Sequence, residues 1–126
     1  MSWQDYVDDQ LLDGGYVTYA AIIGMDGSVW AKSGNFEEIP GELETIAENY
    51  KSTEFFQKNG IVFAGTKYYY ISGFDRVMRG KKGKMGLHSM RTETAIVVAT
   101  YDEPNTAQHI ATIVEKLGEF LISYGY

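Results

Sequence analysis

The stretch Ser2-Trp3-Gln4-Asp5-Tyr6-Val7-Asp8 decides how the fold begins, because it carries the signals of a helix start. Ser2 can accept hydrogen bonds from the first unpaired backbone N–H groups, and Asp5 follows three residues later, as in a capping box. Two glycines, Gly14-Gly15, end the helical pattern. The sequence therefore predicts a helix over about residues 3 to 12.

This first helix carries aromatic rings on one edge and a core stripe on another. Trp3 and Tyr6 stand three residues apart and share a face, while Val7 and Leu11 continue the stripe toward the interior. The other end of the chain is also aromatic, at Phe120, Tyr124 and Tyr126. Rings with polar N–H or O–H tips suit a groove that binds a polyproline helix. Because such rings can equally pin a helix to a sheet, their spacing alone leaves both interpretations open.

After this helix, the sequence predicts a series of strands, interrupted by a short helix and followed by a long C-terminal helix. Residues 42–50 and 106–123 have helical periodicity, and Asp26-Gly27 is a strong hairpin turn signal. The strand candidates are residues 17–24, 28–32, 60–64, 67–72, 77–81, 85–90 and 94–101. This order predicts an α+β fold, with a central antiparallel sheet, N- and C-terminal helices packed on one face and a smaller helix elsewhere.

Composition narrows the class of protein. The 126 residues are expected to form a single domain over residues 1–126. The absence of cysteine excludes disulfides and thiolate chemistry and is typical of a reducing compartment, so we expect a cytoplasmic protein. A net charge of -6 argues against general nucleic-acid binding. We expect neither a transmembrane segment nor a signal peptide, because no run of 18 apolar residues occurs and the N-terminal stretch carries acidic residues and Gln.

The basic residues are concentrated in one window, residues 76–91, which contains no acidic residue. They are Arg76, Arg79, Lys81, Lys82, Lys84 and Arg91. Such a field can attract an acidic protein face or an anionic lipid headgroup, although a solvated hairpin is an equally valid interpretation. The glycines of this window lie between strand-like runs with no helix following, which argues against a nucleotide-binding loop.

The sequence offers little that indicates an enzyme. The two histidines, His88 and His109, have no partner at metal-ligand spacing. The acidic pairs, such as Asp8-Asp9 and Asp102-Glu103, are adjacent in sequence and suit a solvated surface better than acid–base catalysis. We therefore expect a binding protein without catalytic residues, metal or cofactor. An alternative of similar layout is a PAS-like or longin-like domain that senses a small ligand or bridges proteins.

Five stretches, in order along the whole chain, resemble the profilin family, in its short plant and amoeboid forms. They are Met1-Ser2-Trp3-Gln4-Asp5-Tyr6-Val7-Asp8, Asp26-Gly27-Ser28-Val29-Trp30-Ala31, Arg79-Gly80-Lys81-Lys82-Gly83, Tyr101-Asp102-Glu103-Pro104 and Val114-Glu115-Lys116-Leu117-Gly118-Glu119-Phe120-Leu121. The resemblance implies a monomeric, cytoplasmic and cytoskeleton-associated protein that regulates actin polymerisation. Its partners would be monomeric actin, proline-rich segments of actin regulators such as formins, and phosphoinositide lipid headgroups.

The resemblance also implies three sites. The polyproline site would comprise Trp3, Tyr6, Trp30, Leu117, Phe120 and Tyr126. The actin site would comprise Lys67, Arg79, Lys81, Lys82, Thr112 and Lys116. The phosphoinositide site would comprise Arg76, Arg79, Lys81, Lys82 and Lys84. Phe120 stands where relatives have His or Tyr, so it keeps the stacking surface and loses a polar tip. Tyr126 is expected to be ordered and to pack near Trp3.

Overall fold

The computed structural model describes residues 2–126, so Met1, which begins the first of the five profilin-like stretches, lies outside the described residues. Helix α1 begins as the short α-helix Trp3–Asp5 and continues as the π-helix Tyr6–Leu11. The Ser2 Oγ accepts a hydrogen bond from the Asp5 backbone N–H, and the Asp5 carboxylate accepts one from the Ser2 backbone N–H. The predicted first helix and its capping box are confirmed. The π-helical geometry of residues 6–11 was not predicted.

Seven strands form one antiparallel sheet. They are β1 Ala20–Gly24, β2 Val29–Lys32, β3 Ile61–Phe63, β4 Thr66–Phe74, β5 Val77–Lys82, β6 Met85–Arg91 and β7 Ala95–Asp102. Their order across the sheet is β2-β1-β7-β6-β5-β4-β3, and each neighbouring pair is antiparallel. Every predicted strand is present, with ends that differ by up to three residues. The meander from β3 to β7 follows from short turns, whereas the long-range pairing of β1 with β7 joins the N-terminal hairpin to it.

Three more helices cover the sheet: α2 Glu42–Asn49, α3 Glu54–Asn59 and α4 Ala107–Ser123. The predicted helices at residues 42–50 and 106–123 are confirmed. Helix α3 was not predicted. It has six residues, no side-chain hydrogen bond at its N-cap and a single buried residue, Phe56. A helix this short depends on packing against the rest of the fold, so its local pattern is weak.

The sheet separates two hydrophobic cores. One core lies under α2 and α3, and the other lies between the sheet and the two terminal helices. Strand β1 shows the division, since Ala21 and Ile23 face the first core while Ala20 and Ile22 face the second. The predicted fold class is thus confirmed, including the packing of α1 and α4 on the same face. Within residues 2–126, no helix has both the length and the apolar character to cross a bilayer.

Candidate functional site

An aromatic cluster lies where α1, β2 and α4 meet. Its central ring is Trp3, whose centroid lies 4.7 Å from that of Trp30 and 4.9 Å from that of Tyr126. Trp3 also lies 5.6 Å from Tyr6, and Tyr6 lies 5.9 Å from Phe120. These five residues, which sequence reasoning assigned to the polyproline site, form a chain of ring contacts. The structure thus brings together residues that are far apart in the sequence.

The cluster is partly exposed, as a binding surface requires. Phe120 and Tyr126 are 41% and 43% exposed, while Trp3, Tyr6 and Trp30 are half-buried. The sixth residue of the predicted set, Leu117, is buried in the second core and also lines a small pocket beneath two of the rings. It can contribute the floor of a groove and little of its open surface.

One ring was left out of the predicted set. Tyr124 is 69% exposed and its ring lies 4.8 Å from that of Phe120. Tyr124 follows Phe120 by four residues, a spacing that places two side chains on one face of a helix. This spacing was the available signal, and it extends the aromatic cluster at its exposed end.

The position of Tyr126 depends on the turn between β6 and β7. Its backbone oxygen lies 2.6 Å from the backbone nitrogen of Thr94, 2.9 Å from the Thr94 Oγ1 and 2.8 Å from the Thr92 Oγ1. The prediction that Tyr126 packs near Trp3 is confirmed. Sequence reasoning missed both threonines, because nothing local connects residues that are more than thirty positions away from Tyr126.

The residues predicted for the actin site do not form a single surface. Lys67 on β4 and Arg79 and Lys81 on β5 alternate with buried core residues, so they lie on the sheet face that α4 partly covers. Lys82 is exposed at the end of β5, and Thr112 is exposed on α4. Lys116 lines the pocket beside Tyr6 and Phe120 instead. The two α4 residues that line a groove with Arg79 are Glu115 and Glu119.

The surface around Arg79 also has an apolar component that sequence reasoning missed. Tyr69 and Phe74 on β4 are 70% and 85% exposed. They lie opposite Lys81 and Val77 of β5, on the same face as Arg79. We call Tyr69, Phe74, Arg79 and Lys81 the mixed face. Because the run Tyr68-Tyr69-Tyr70 predicts a strand without saying which side is solvated, only the structure reveals this face.

Of the residues predicted for the phosphoinositide site, some are paired with carboxylates and the others are not. Arg76 forms a salt bridge with Glu93, and the Lys81 Nζ lies 3.8 Å from a carboxylate oxygen of Glu103. In the described part of the chain, no carboxylate oxygen lies within 4.0 Å of the basic nitrogens of the other three residues. Those three, all exposed, are Arg79, Lys82 and Lys84.

His88 is buried beneath the groove that contains Arg79. It is 1% exposed, and its Nε2 lies 2.8 Å from the Glu115 Oε2, while its Nδ1 is buried without a hydrogen-bond partner. Burial lowers the pKa of His88, and although Glu115 opposes this effect, Arg79 reinforces it. The neutral ring can donate from Nε2 to the carboxylate, so His88 holds Glu115 in place.

We expect the buried His88 to make the folded state less stable in mild acid. Its pKa in the folded state is lower than its unfolded value of about 6.5, so below that pH the unfolded chain binds more protons. The free energy of unfolding should therefore decline as the pH falls below about 6.5, until the lower folded-state pKa has been passed. Urea denaturation at a series of pH values between 7.5 and 5 measures this decline.

The variant His88→Gln should flatten that pH dependence, and His109→Gln is the matched control because His109 is the exposed histidine. The control should retain the decline of the unmodified protein. An identical decline in all three proteins would show that His88 is not its source.

The fold and the aromatic cluster define a small α+β binding module with one aromatic surface and, elsewhere, a mixed basic and apolar one. A family model described as Profilin matches residues 1–126, and the chain belongs to this family. Family membership supports a role in actin-binding regulation. The match to the profilin family excludes the alternative of a PAS-like or longin-like domain.

Known relatives agree with this assignment. The chain is 48% identical to the Profilin of Bombyx mori and 46% identical to that of Drosophila melanogaster, each over 126 residues that cover both chains completely. Among solved structures, Acanthamoeba castellanii profilin II is 41% identical, with a TM-score of 0.93 over 99% of this chain and 100% of that chain. Mouse profilin IIa in complex with a double repeat from the FH1 domain of mDia1 is 24% identical and has the same fold, with a TM-score of 0.81 and complete coverage of both chains.

Proposed function

We propose that the chain bridges monomeric actin to proline-rich segments of actin regulators such as formins. The observation that carries the proposal is the aromatic cluster. Its five rings form one connected set of contacts, and two of the rings are more than two-fifths exposed. Isolated core rings would be buried on all sides, whereas exposed neighbouring rings offer a continuous apolar surface for prolines.

The aromatic cluster would bind a segment that is already in the polyproline conformation. Such a helix has no internal hydrogen bonds, so its carbonyl oxygens are free to accept bonds from indole N–H and phenol O–H groups. Trp3, Tyr6 and Tyr126 supply rings of this kind, while Phe120 contributes stacking alone. Little ordering entropy is lost, because the ligand is preformed and packing already constrains the rings.

The mixed face would bind the actin monomer. Phe74 and Tyr69 provide exposed apolar area, while Arg79 and Lys81 provide positive charge that can complement an acidic surface. Of the other predicted actin residues, Lys67 lies on the same face. Lys82, at the end of β5, alternates with Lys81 and so lies on the opposite side of the strand, and it remains a proposed contact together with Thr112 and Lys116 of α4. Binding would act on actin by differential affinity for its conformations, without catalytic residues, metal or cofactor on this chain.

Phosphoinositide headgroups would bind next to the mixed face. Arg79, Lys82 and Lys84 are the strongest contacts, and Arg76 and Lys81 would have to share charge with Glu93 and Glu103. Because Arg79 belongs to both surfaces, lipid and actin should compete. We further propose that residues 1–126 act as one monomeric domain in the cytoplasm, associated with the cytoskeleton.

One capture experiment tests the bridge and the competition together. The protein, immobilised through a polyproline resin, should retain monomeric actin, and resin without the protein should not. Vesicles that contain phosphoinositide should then release actin while the protein stays on the resin, whereas vesicles of neutral lipid should release neither. Failure to retain actin on loaded resin would contradict the bridge, and retention of actin despite lipid binding would contradict the shared surface.

A further inference from the structure

The groove between the two terminal helices continues beyond the aromatic cluster. Tyr6 on α1 contacts Phe120 on α4, and about one turn of α4 away from Phe120, Lys116 shares a pocket with Gln10. The residue numbers rise on α1 and fall on α4, so the helices are antiparallel and form a valley. The pocket has a volume of about 140 Å³ and starts at the last two rings of the cluster.

The lining of this pocket combines an apolar floor with a polar rim. Leu117 forms the floor, the rings of Tyr6 and Phe120 form walls, and Gln10 and Lys116 are exposed at the rim. A side chain that enters would therefore place its methylene groups on apolar surface and its polar end between an amide and an ammonium group. The pocket suits a short side chain with a charged tip.

Lys116 gives the pocket a positive charge. It is the one Lys or Arg in the segments Trp3–Leu11 and Ala107–Ser123 that form the valley. Among residues 2–126, no carboxylate oxygen lies within 4.0 Å of its ammonium nitrogen. The outer surface of α1 is acidic, with Asp5, Asp8 and Asp9 exposed. A positive charge next to the rings is thus isolated in an acidic neighbourhood and is free to pair with a ligand.

We propose that this Lys116 pocket receives an acidic side chain that flanks the proline run of the bound segment. The inference rests on the proposed polyproline function and adds a specificity determinant to it. One turn of α-helix rises about 5.4 Å, and a polyproline helix rises about 3.1 Å per residue. The acidic residue should therefore lie about two positions beyond the last proline that stacks on Tyr6 and Phe120.

Synthetic peptides can separate this pocket from the aromatic cluster. The set consists of decaproline and of decaproline extended by Gly-Glu, Gly-Gln or Gly-Lys. The extension is placed at either end, so that both directions of the bound chain are tested. Tryptophan fluorescence titration at low salt gives each affinity. For one of the two directions, the Glu peptide should bind about threefold more tightly than the Gln peptide, the size expected of an exposed ion pair. The preference should vanish at high salt.

Variants at Lys116 test whether this residue causes the preference for the Glu peptide. Lys116→Gln should bind Glu and Gln peptides equally, and Lys116→Glu should prefer the Lys peptide. The control Lys58→Gln, an exposed lysine of α3 on the other side of the sheet, should keep the preference of the unmodified protein. Normal decaproline binding without any Glu preference, or a preference that survives Lys116→Gln, would overturn the pocket alone. Failure of decaproline to bind would overturn the proposed function and the pocket with it.

Discussion

The variant Trp3→Ala is expected to lose retention on a polyproline resin. Trp3 touches three other rings of the aromatic cluster, so its removal takes away the centre of the surface. Truncation of a central aromatic residue in an interface costs about 2 kcal/mol or more, which corresponds to roughly a 30-fold loss of affinity. Helix α1 should survive, because Val7 and Leu11 are fully buried in the second core.

The matched control is Tyr69→Ala, which removes an exposed aromatic ring from β4, outside the aromatic cluster. This variant should be retained on the resin like the unmodified protein. Circular dichroism and thermal unfolding establish that both variants are folded. A folded Trp3→Ala protein that is still retained would restore the alternative left open by the sequence, in which this ring only pins α1 to the sheet.

The double variant Phe74→Ser, Arg79→Glu is expected to weaken binding to monomeric actin while leaving polyproline binding intact. Phe74 is 85% exposed and Arg79 is exposed, so their replacement should change the free energy of unfolding little. The variant removes apolar contact area and reverses a charge on the mixed face. Two such losses at one interface should together cost about 2 kcal/mol or more, or roughly 30-fold in affinity.

A matched control carries equivalent substitutions, an aromatic residue to Ser and a basic residue to Glu, on the other side of the sheet. Phe55→Ser with Lys58→Glu changes an exposed phenylalanine and an exposed lysine of α3, which packs on the first core. Titration of labelled actin monomers should show an affinity close to that of the unmodified protein for this control. Equal weakening by both double variants would mean that the mixed face has no special role in actin binding.

Much of the fold could be predicted because its signals are local. The capping box at Ser2, the turn at Asp26-Gly27 and the apolar stripe of α4 each depend on residues within a few positions of one another. The grouping of the polyproline residues was predicted through resemblance to a family, and the ring contacts of Trp3 agree with it. Helix α3 could not be predicted in the same way, because its six residues are stabilised mainly by tertiary packing.

The sequence by itself determined the order of helices and strands, the aromatic ends and the basic window, since periodicity, turn chemistry and charge are properties of neighbouring residues. Only the tertiary structure decided which of those residues meet. It places Tyr126 against Thr94, pairs Arg76 with Glu93, and turns Lys116 toward Tyr6 instead of Arg79. These contacts depend on strand register and on the way α1 lies beside α4. Both arise from packing between distant segments, so no local pattern encodes them.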